Sequence, residues 1–307
     1  MTTAFLFHRD CLLHDMGAHH PECPERLSII NDRLIASGLD LHLAFHEAPL
    51  ATRAQIARAH DGAYIDALFR SSPREGLHHL DPDTAMCPHT LQAALRAAGA
   101  GILATDLVTK GEAENAFCAV RPPGHHAERA RAMGFCFFNN VAIAAKHALE
   151  VCGLERVAIV DFDVHHGNGT ADIFAGDPRV LMVGIFQHPF YPYCGTENPV
   201  QNMCNVPLPA GTRGDAFRQV VSDIWLPRLR EFAPQALFVS AGFDAHYEDD
   251  MASLGLLESD YAWVTREIKT LALASAAGRI VSMLEGGYAL SALARSVYAH
   301  VKVLADL

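Results

Sequence analysis

The chain has 307 residues, half of them hydrophobic and 19% charged, enough apolar material for one large core, which excludes an intrinsically disordered chain. Lys and Arg total 24 against 35 Asp and Glu, a net charge of −11 with His neutral, and this balance argues against nucleic-acid binding, which needs clustered cations to meet phosphates. No apolar run approaches the ~18 residues of a membrane span, and the amino-terminal MTTAFLFHRD has no basic stretch ahead of its short apolar one, so neither a transmembrane helix nor a secretory leader is expected.

In chain order, apolar runs of strand length fall at 4–8, 115–121, 156–163, 179–186, 235–242 and 279–284. Continuous apolar strands of this kind belong to a parallel sheet covered on both faces. Helical patterning fills 24–37, 52–70, 88–109, 139–151, 168–175, 214–231, 258–276 and 289–305. In 88–109, Pro88 opens the segment and Leu91, Leu95, Ala98 and Ile102 lie near one stripe. Trp225 and Trp263 sit in helical patterns and read as core residues. The alternation predicts βαβ units in one α/β domain over 1–307, a three-layer doubly wound sheet flanked by helices. Two stretches, 71–87 and 187–213, carry no clear element and read as functional loops. The eight Cys (11, 23, 87, 118, 136, 152, 194, 204) are scattered without a CxxC pair, which suits reduced thiols in a cytoplasmic protein better than a disulfide framework.

Histidine is the residue in excess. Eighteen include four adjacent pairs, His19-His20, His78-His79, His125-His126 and His165-His166. Ligands of open α/β sheets bind beyond the carboxyl ends of the strands, and four predicted strands end in reactive residues: RPPGHHA (121–127), DFDVHHGNGT (161–170), GFDAH (242–246) and EGGY (285–288). In the second, Asp161, Asp163 and His165 alternate, so an extended backbone points all three one way. With Asp244, Asp163 and His165 supply two Asp and one His, the three-ligand set of a catalytic zinc site. Asp161 either joins the ligands or holds a neighbouring imidazole; the plainer alternative is a loop of helix-capping residues before Asn168. The stiff RPPG turn presents His125 and His126, either as base and electrostatic partner or as solvated loop histidines. The solvated reading is preferred for His78-His79, His42 and His300. Tyr288 is an oxyanion donor or a structural tyrosine. In GFCFFNN (134–140) the phenylalanines pack in the core or wall a channel, and Arg26, in PER, pairs with a carboxylate near the site or is structural.

Taken in order, HHPECPERL, RPPGHHA, GFCFFNN, DFDVHHGNGT, AGFDAH and EGGY resemble the zinc-dependent histone deacetylase family over nearly the whole chain, most closely its class II branch with the bacterial deacetylase-like amidohydrolases. The resemblance implies the arginase/deacetylase fold, with an eight-stranded, mainly parallel sheet. It implies Zn²⁺ (or Fe²⁺ in the cell) on Asp163, His165 and Asp244, and a catalytic group of His125, His126, Tyr288, Asp161 holding His125, and Asn168 beside His126, where class I members have Asp. It implies structural K⁺ at two sites, one of Asp161, Asp163, His165, Gly184 and Ile185, the other of Phe174, Asp177, Val180 and Asn202. Gly134, Phe135 and Tyr191 line the acyl tunnel and Met251 stands at its mouth, seven residues after Asp244, where a polyamine-selective member has Glu. With neither long insertion nor tail, no attached recognition domain is expected.

The implied activity is removal of acetyl or another short acyl group from an amine by metal-activated water. Substrates are acyl-lysine peptides or proteins, or a small acylated amine such as an acetylpolyamine; Glu248, Asp249 and Asp250 precede Met251, and a one-residue loop shift would bring Asp250 to the mouth. No nucleic-acid or membrane partner is expected, and oligomeric state is left open. A silent acyl-lysine binding module would need a missing ligand or Tyr, and neither is missing. A binuclear manganese hydrolase would need further Asp ligands that His125-His126 does not supply.

Overall fold

The apolar runs fold as strands buried on both faces because helices cover each side of one sheet. A computed structural model describes residues 2–197 and 200–307. The elements in order are β1 (Thr3–Phe7), α1 (Glu25–Ser37), β2 (Leu43–Glu47), α2 (Arg53–Ile56), α3 (Gly62–Ser71), β3 (His78–His79), β4 (Ala85–Met86), α4 (Thr90–Lys110) and β5 (Asn115–Cys118). They continue with α5 (Asn140–Glu150), β6 (Val157–Asp161), α6 (Asn168–Phe174), β7 (Val180–Gln187), β8 (Met203–Leu208), α7 (Gly214–Val220) and α8 (Leu226–Phe232). The last are β9 (Leu237–Ala241), α9 (Glu258–Ser275), β10 (Ile280–Leu284) and α10 (Leu290–Leu304).

Eight strands form one sheet in the order β2-β1-β5-β10-β9-β6-β7-β8, and every neighbouring pair in it is parallel. The six predicted strands are all present, and both strands that the apolar runs missed, β2 and β8, are the edges of the sheet. They are only half-buried, and Pro207 in β8 suits an edge, where a missing N–H breaks no ladder. β8 lies in the stretch 187–213 and the short β3–β4 hairpin in 71–87, so neither is a structureless loop throughout; Asn198 and Pro199 lie outside the described residues. The predicted helix 52–70 is two helices, α2 held by a Thr52–Gln55 capping box and α3 starting at Gly62. The helix predicted at 214–231 is α7 and α8 joined through a π-helical turn at Val221–Trp225.

Helices α4 and α5 pack together on one face; α10 packs with α1 and α9 on the other. At 21 residues α4 is long and apolar enough to cross a membrane, against the expectation that no such run exists. Its small residues, Ala94, Ala97, Ala98, Gly101 and Ala104 among them, are buried inside the domain. Of the tryptophans, Trp225 is fully buried and Trp263 half-buried.

His42 is exposed, as are His78 and His79, but His300 is not a solvated histidine. It is 1% exposed, with Nδ1 2.7 Å from Thr265 Oγ1 and Nε2 2.9 Å from Ser282 Oγ. Burial pushes its pKa down to about 3. The unfolded chain takes up this proton near pH 6.5 and the folded chain not until about pH 3. The stabilisation is therefore complete above pH 6.5 and lost on acidification, by up to ~1.4 kcal/mol per pH unit. Urea unfolding between pH 7 and 4.5 is expected to show this slope, and His300→Gln to shallow it by about one proton. Identical slopes in the two proteins would rule His300 out as the group responsible.

Candidate active site

The central strands β5, β10, β9 and β6 end side by side, and their carboxyl ends carry the predicted chemistry. Beyond Asp161 the backbone still alternates: Phe162 and Val164 enter the core, fully buried, while Asp163 and His165 meet on the other side. Asp244 follows β9. Donor atoms of Asp163, His165 and Asp244 lie within 4.8 Å of one another, all three residues buried. His165 Nδ1 is 3.0 Å from Asp163 Oδ1 and 3.2 Å from Asp244 Oδ2. Backbone amides orient the carboxylates: Gly286 N donates to Asp163 Oδ2 at 2.9 Å and Val164 N to Asp244 Oδ1 at 2.9 Å. Gly286 is glycine because a Cβ there would overlap both carboxylates.

The donor set fits a divalent ion. Two buried carboxylates face one imidazole, leaving negative charge that a dication balances, and Asp244 Oδ2 is buried without a hydrogen-bond partner. Burial and the Asp163 charge push the Asp244 carboxyl upward, the unfavourable crowding that a shared cation relieves. Among the described residues one other cluster has ligand types, Asp106, His147 and Cys152. There His147 Nδ1 faces the Arg58 guanidinium at 3.2 Å; Arg only donates, so His147 Nε2 carries the proton and donates to Asp106 Oδ1 at 2.8 Å. That nitrogen has no lone pair to give a metal.

The tandem histidines differ in their partners. His125 donates Nδ1–H to Asp161 Oδ2 at 3.0 Å, and its Nε2 lies 3.6 Å from Asp163 Oδ1. Burial opposes charge on this ring, but the Asp163 and Asp161 carboxylates outweigh it and hold the imidazole well above its ordinary pKa. His126 Nδ1 lies 2.7 Å from Asn168 Oδ1. The Asn168 amide is oriented by Glu128, whose Oε1 accepts from its nitrogen at 2.8 Å. Asn168 Oδ1 can only accept, so His126 carries its proton on Nδ1 and keeps the Nε2 lone pair. Burial, then the charges of His125 and His165, hold His126 well below its ordinary pKa. Charge is thus favoured on one ring and disfavoured on its neighbour.

These groups lie at a cavity of about 210 Å³ lined by Asp83, His126, Gly134, Phe135, His165, Phe190, Tyr191, Met251 and Tyr288. Ligand pockets for drug-sized molecules are commonly 300–1,000 Å³, so this one suits a slim chain. Tyr191 meets His126 edge-on with ring centroids 5.3 Å apart, Phe190 stacks on His165 at 5.7 Å and Phe135 meets Tyr288 edge-on at 6.0 Å. Gly134 has φ +57° and a Cβ would strike the His126 ring. Phe135, at φ +67°, accepts the left-handed conformation that side chains usually avoid; its N–H donates to Thr84 Oγ1 at 3.1 Å. Phe137 and Phe138 are core residues. At the mouth Met251 faces the cavity, Glu248 pairs with Arg295 at 2.6 Å, and Asp249 turns inward to accept from the N–H groups of Tyr288 (2.6 Å), Ala289 (3.0 Å) and Met251 (3.1 Å). The acidic run 248–250 is therefore not shifted by one residue into the cavity.

Sequence reasoning passed over several residues that support this site. Glu285 Oε2 accepts from the backbone N–H groups of Gly124 (2.7 Å) and His125 (3.1 Å), and burial pushes its pKa up to about 7. Buried Glu22 pairs with both Arg26 and Arg121. Arg26 donates to the carbonyls of Gly287 and Glu285 and lies 4.9 Å from the centre of the Tyr288 ring, so it props the EGGY turn. The available signal was a charged residue closing an apolar run, Arg121 after AFCAV and Glu285 after SML.

The two expected monovalent-cation sets are built differently. Gly184 pairs in register with Asp161, and space beside it is bounded by the Asp161 backbone oxygen and by Asn205 Oδ1, which is buried and unpartnered. Of the first set, Asp161 thus brings an oxygen to this space, and Asn205, outside the expected set, brings the other. In the second, Phe174, Asp177, Val180 and Asn202 do meet, but Asn202 brings a nitrogen: its Nδ2 donates to the carbonyls of Phe174, Asp177 and Val180.

A three-layer parallel α/β domain with two Asp and one His converging at its strand ends defines a candidate metal-dependent hydrolase. The histone deacetylase domain matches residues 20–304, and the chain belongs to that family. It is 38% identical over 296 residues to a probable deacetylase of Archaeoglobus fulgidus, covering 94% of this chain and 82% of that one. It is 37% identical over 325 residues to the polyamine deacetylase HDAC10 of Mus musculus, covering 99% of this chain and 48% of that one. The solved HDA15 HD domain superposes with a TM-score of 0.93 at 32% identity, covering 99% of this chain and 88% of that one.

Proposed function

We propose that the protein is a zinc-dependent amidohydrolase that removes acetyl or another short acyl group from a primary amine. The observation that carries this reading is a pair of adjacent imidazoles, one held by the Asp161 carboxylate and the other by the Asn168 amide oxygen, beside a three-residue ligand set at one narrow cavity. A divalent ion on Asp163, His165 and Asp244, zinc or in the cell iron, supplies Lewis-acid polarisation of an amide carbonyl and acidifies water. His126 Nε2 accepts the proton of the attacking water and returns it to the leaving amine. Asn168 keeps this ring in the tautomer that makes it a base. His125, a cation held by Asp161, stabilises negative charge as it develops. The Tyr288 phenol donates to the former carbonyl oxygen. Phe135, Phe190 and Tyr191 exclude water and admit a methylene chain. The oxygens around Gly184 suit a structural potassium ion, and eight free cysteines support a reducing, cytoplasmic setting.

For the substrate we favour acyl-lysine peptides or neutral small amides over acetylpolyamines, because Met251 lines the cavity and offers no ion pair to a second ammonium. The test is a panel of acylated lysine peptides and acetylpolyamines on the metal-loaded enzyme, with hydrolysis of none of them overturning the reading. Met251→Glu is expected to raise kcat/KM for acetylspermidine about fivefold, since a near-surface ion pair contributes ~1 kcal/mol, and to depress it for neutral amides. A wild-type preference for acetylpolyamines above tenfold would defeat the Met251 argument and turn attention to Asp83, the acid that does line the cavity.

A further inference from the structure

The loop that leaves α6 and enters β7 turns three backbone carbonyls toward one point. Asn202 Nδ2 occupies it, 2.8 Å from Phe174 O, 3.1 Å from Asp177 O and 3.0 Å from Val180 O. The orientation of the carboxamide is settled by its other end, where Oδ1 accepts from Gly176 N at 3.0 Å. The backbone of Asn202 is engaged as well, its carbonyl accepting from Met182 N at 2.9 Å, so the residue is pinned between β7 and β8.

Three carbonyl dipoles converging on one point create a negative potential that a cation or an N–H donor can satisfy, and carbonyl oxygens are natural ligands of hard cations. An amide nitrogen carries partial positive charge on two hydrogens, enough for three acceptors only if one bond is shared. We propose that in this protein the Asn202 carboxamide permanently replaces a cation at the α6–β7 loop, so that the loop is closed by a side chain and needs no ion. The contrast with the oxygens around Gly184 sharpens the point. There the buried amide oxygen of Asn205 has no partner and invites a cation; here the half-buried Asn202 brings an amide nitrogen that excludes one. The chain therefore holds one structural monovalent cation at most across these two places.

The loop has a route by which an ion could enter if the nitrogen were removed. Asn202, Gly176, Pro178 and Leu181 also wall a separate cavity of about 730 Å³ at the amino-terminal ends of the strands, away from the candidate active site. The arrangement makes Asn202 a substitution that should convert an ion-independent loop into an ion-dependent one.

Asn202→Ala removes the nitrogen and leaves three carbonyls facing each other. Asn202→Asp, nearly the same shape, puts a carboxylate oxygen among them, which repels until a cation arrives. Melting temperatures are measured for wild type and both variants in potassium chloride and in choline chloride at equal ionic strength. In choline the variants are expected to melt on the order of 5 °C below wild type, and potassium should recover most of that difference, beyond any response of the wild type. Crystals grown in rubidium chloride locate the ion: anomalous scattering at the Phe174, Asp177 and Val180 carbonyls is expected in Asn202→Ala and not in wild type. A rubidium peak there in the wild type overturns the proposal. So does a potassium response of both variants no greater than that of wild type.

Discussion

Asp163→Ala and Asp244→Ala proteins are expected to lose bound metal and hydrolytic activity together, with kcat down by at least about 10³-fold and metal below stoichiometry after dialysis. Loss of a residue that merely supports a metal ligand commonly costs 10–100-fold, and these side chains present their own oxygens to the shared point. Each also serves the backbone. Asp163 accepts from Gly286 N and His165 N, and Asp244 from Val164 N, so the alanine variants leave buried donors unpaired at ~1–3 kcal/mol each. Asp163→Asn and Asp244→Asn help to separate the two effects: an amide withdraws the charge but keeps one acceptor oxygen, enough for the Val164 N–H on Asp244 and for one of the two N–H groups that Asp163 holds on separate oxygens. Asp244→Asn is expected to melt close to the wild type, Asp163→Asn below it by the one N–H left unpaired, and both to hold little metal. Elemental analysis beside calorimetry and kinetics decides it, and full occupancy with full activity in any of the four would sink the ligand assignment.

Tyr288→Phe is expected to lower kcat by about 10²- to 10³-fold, the size associated with one oxyanion donor, with metal content and melting temperature little changed. The variant is informative because almost everything else about the residue survives. Phenylalanine keeps the ring that Arg26 covers and that Phe135 meets edge-on. The backbone N–H stays with Asp249. Only the hydroxyl is lost, and KM for a slim amide should move little because the wall of the cavity is intact. A kcat within a few-fold of wild type on a slow amide would show that the donor is another group.

The interior of the sheet could be read from the chain, and its rims could not. β5, β6, β7, β9, β10 and β1 are covered on both faces, so burial writes itself as an unbroken apolar run. β2 has only Leu43 fully buried, and β8 mixes Asn205 and Pro207 into a half-exposed run; an edge strand carries too little apolar surface to announce itself. His300 was misjudged because a lone histidine in an amphipathic helix looks alike on either face; its partners, Thr265 and Ser282, arrive from α9 and β10. The main chemistry was legible for a different reason. Asp161, Asp163 and His165 stand two apart on one strand end, and His125-His126 follows a stiff turn, so local geometry nearly dictates their direction. Glu22, Glu285 and Asp249 were not legible because they act on backbone groups or charges from distant segments. Asn202 was placed near the right carbonyls by resemblance, yet which atom it brings is a matter of side-chain geometry that spacing does not reveal.

The sheet order has a consequence for synthesis. β10 is the last strand in the chain and lies in the middle of the sheet, between β5 and β9. Until residues 280–288 leave the ribosome, β2-β1-β5 and β9-β6-β7-β8 lack the strand that joins them. The tandem histidines belong to the first group and all three proposed ligands to the second. Gly286, which orients Asp163, and Tyr288 arrive with the joining strand itself. Contacts so distant in sequence form slowly, and a nascent chain short of this point holds its acids without the amide that orders one of them. The ordering of Asp163 by Gly286 is thus completed only near the close of folding, although the three side chains that would hold an ion are already in the chain.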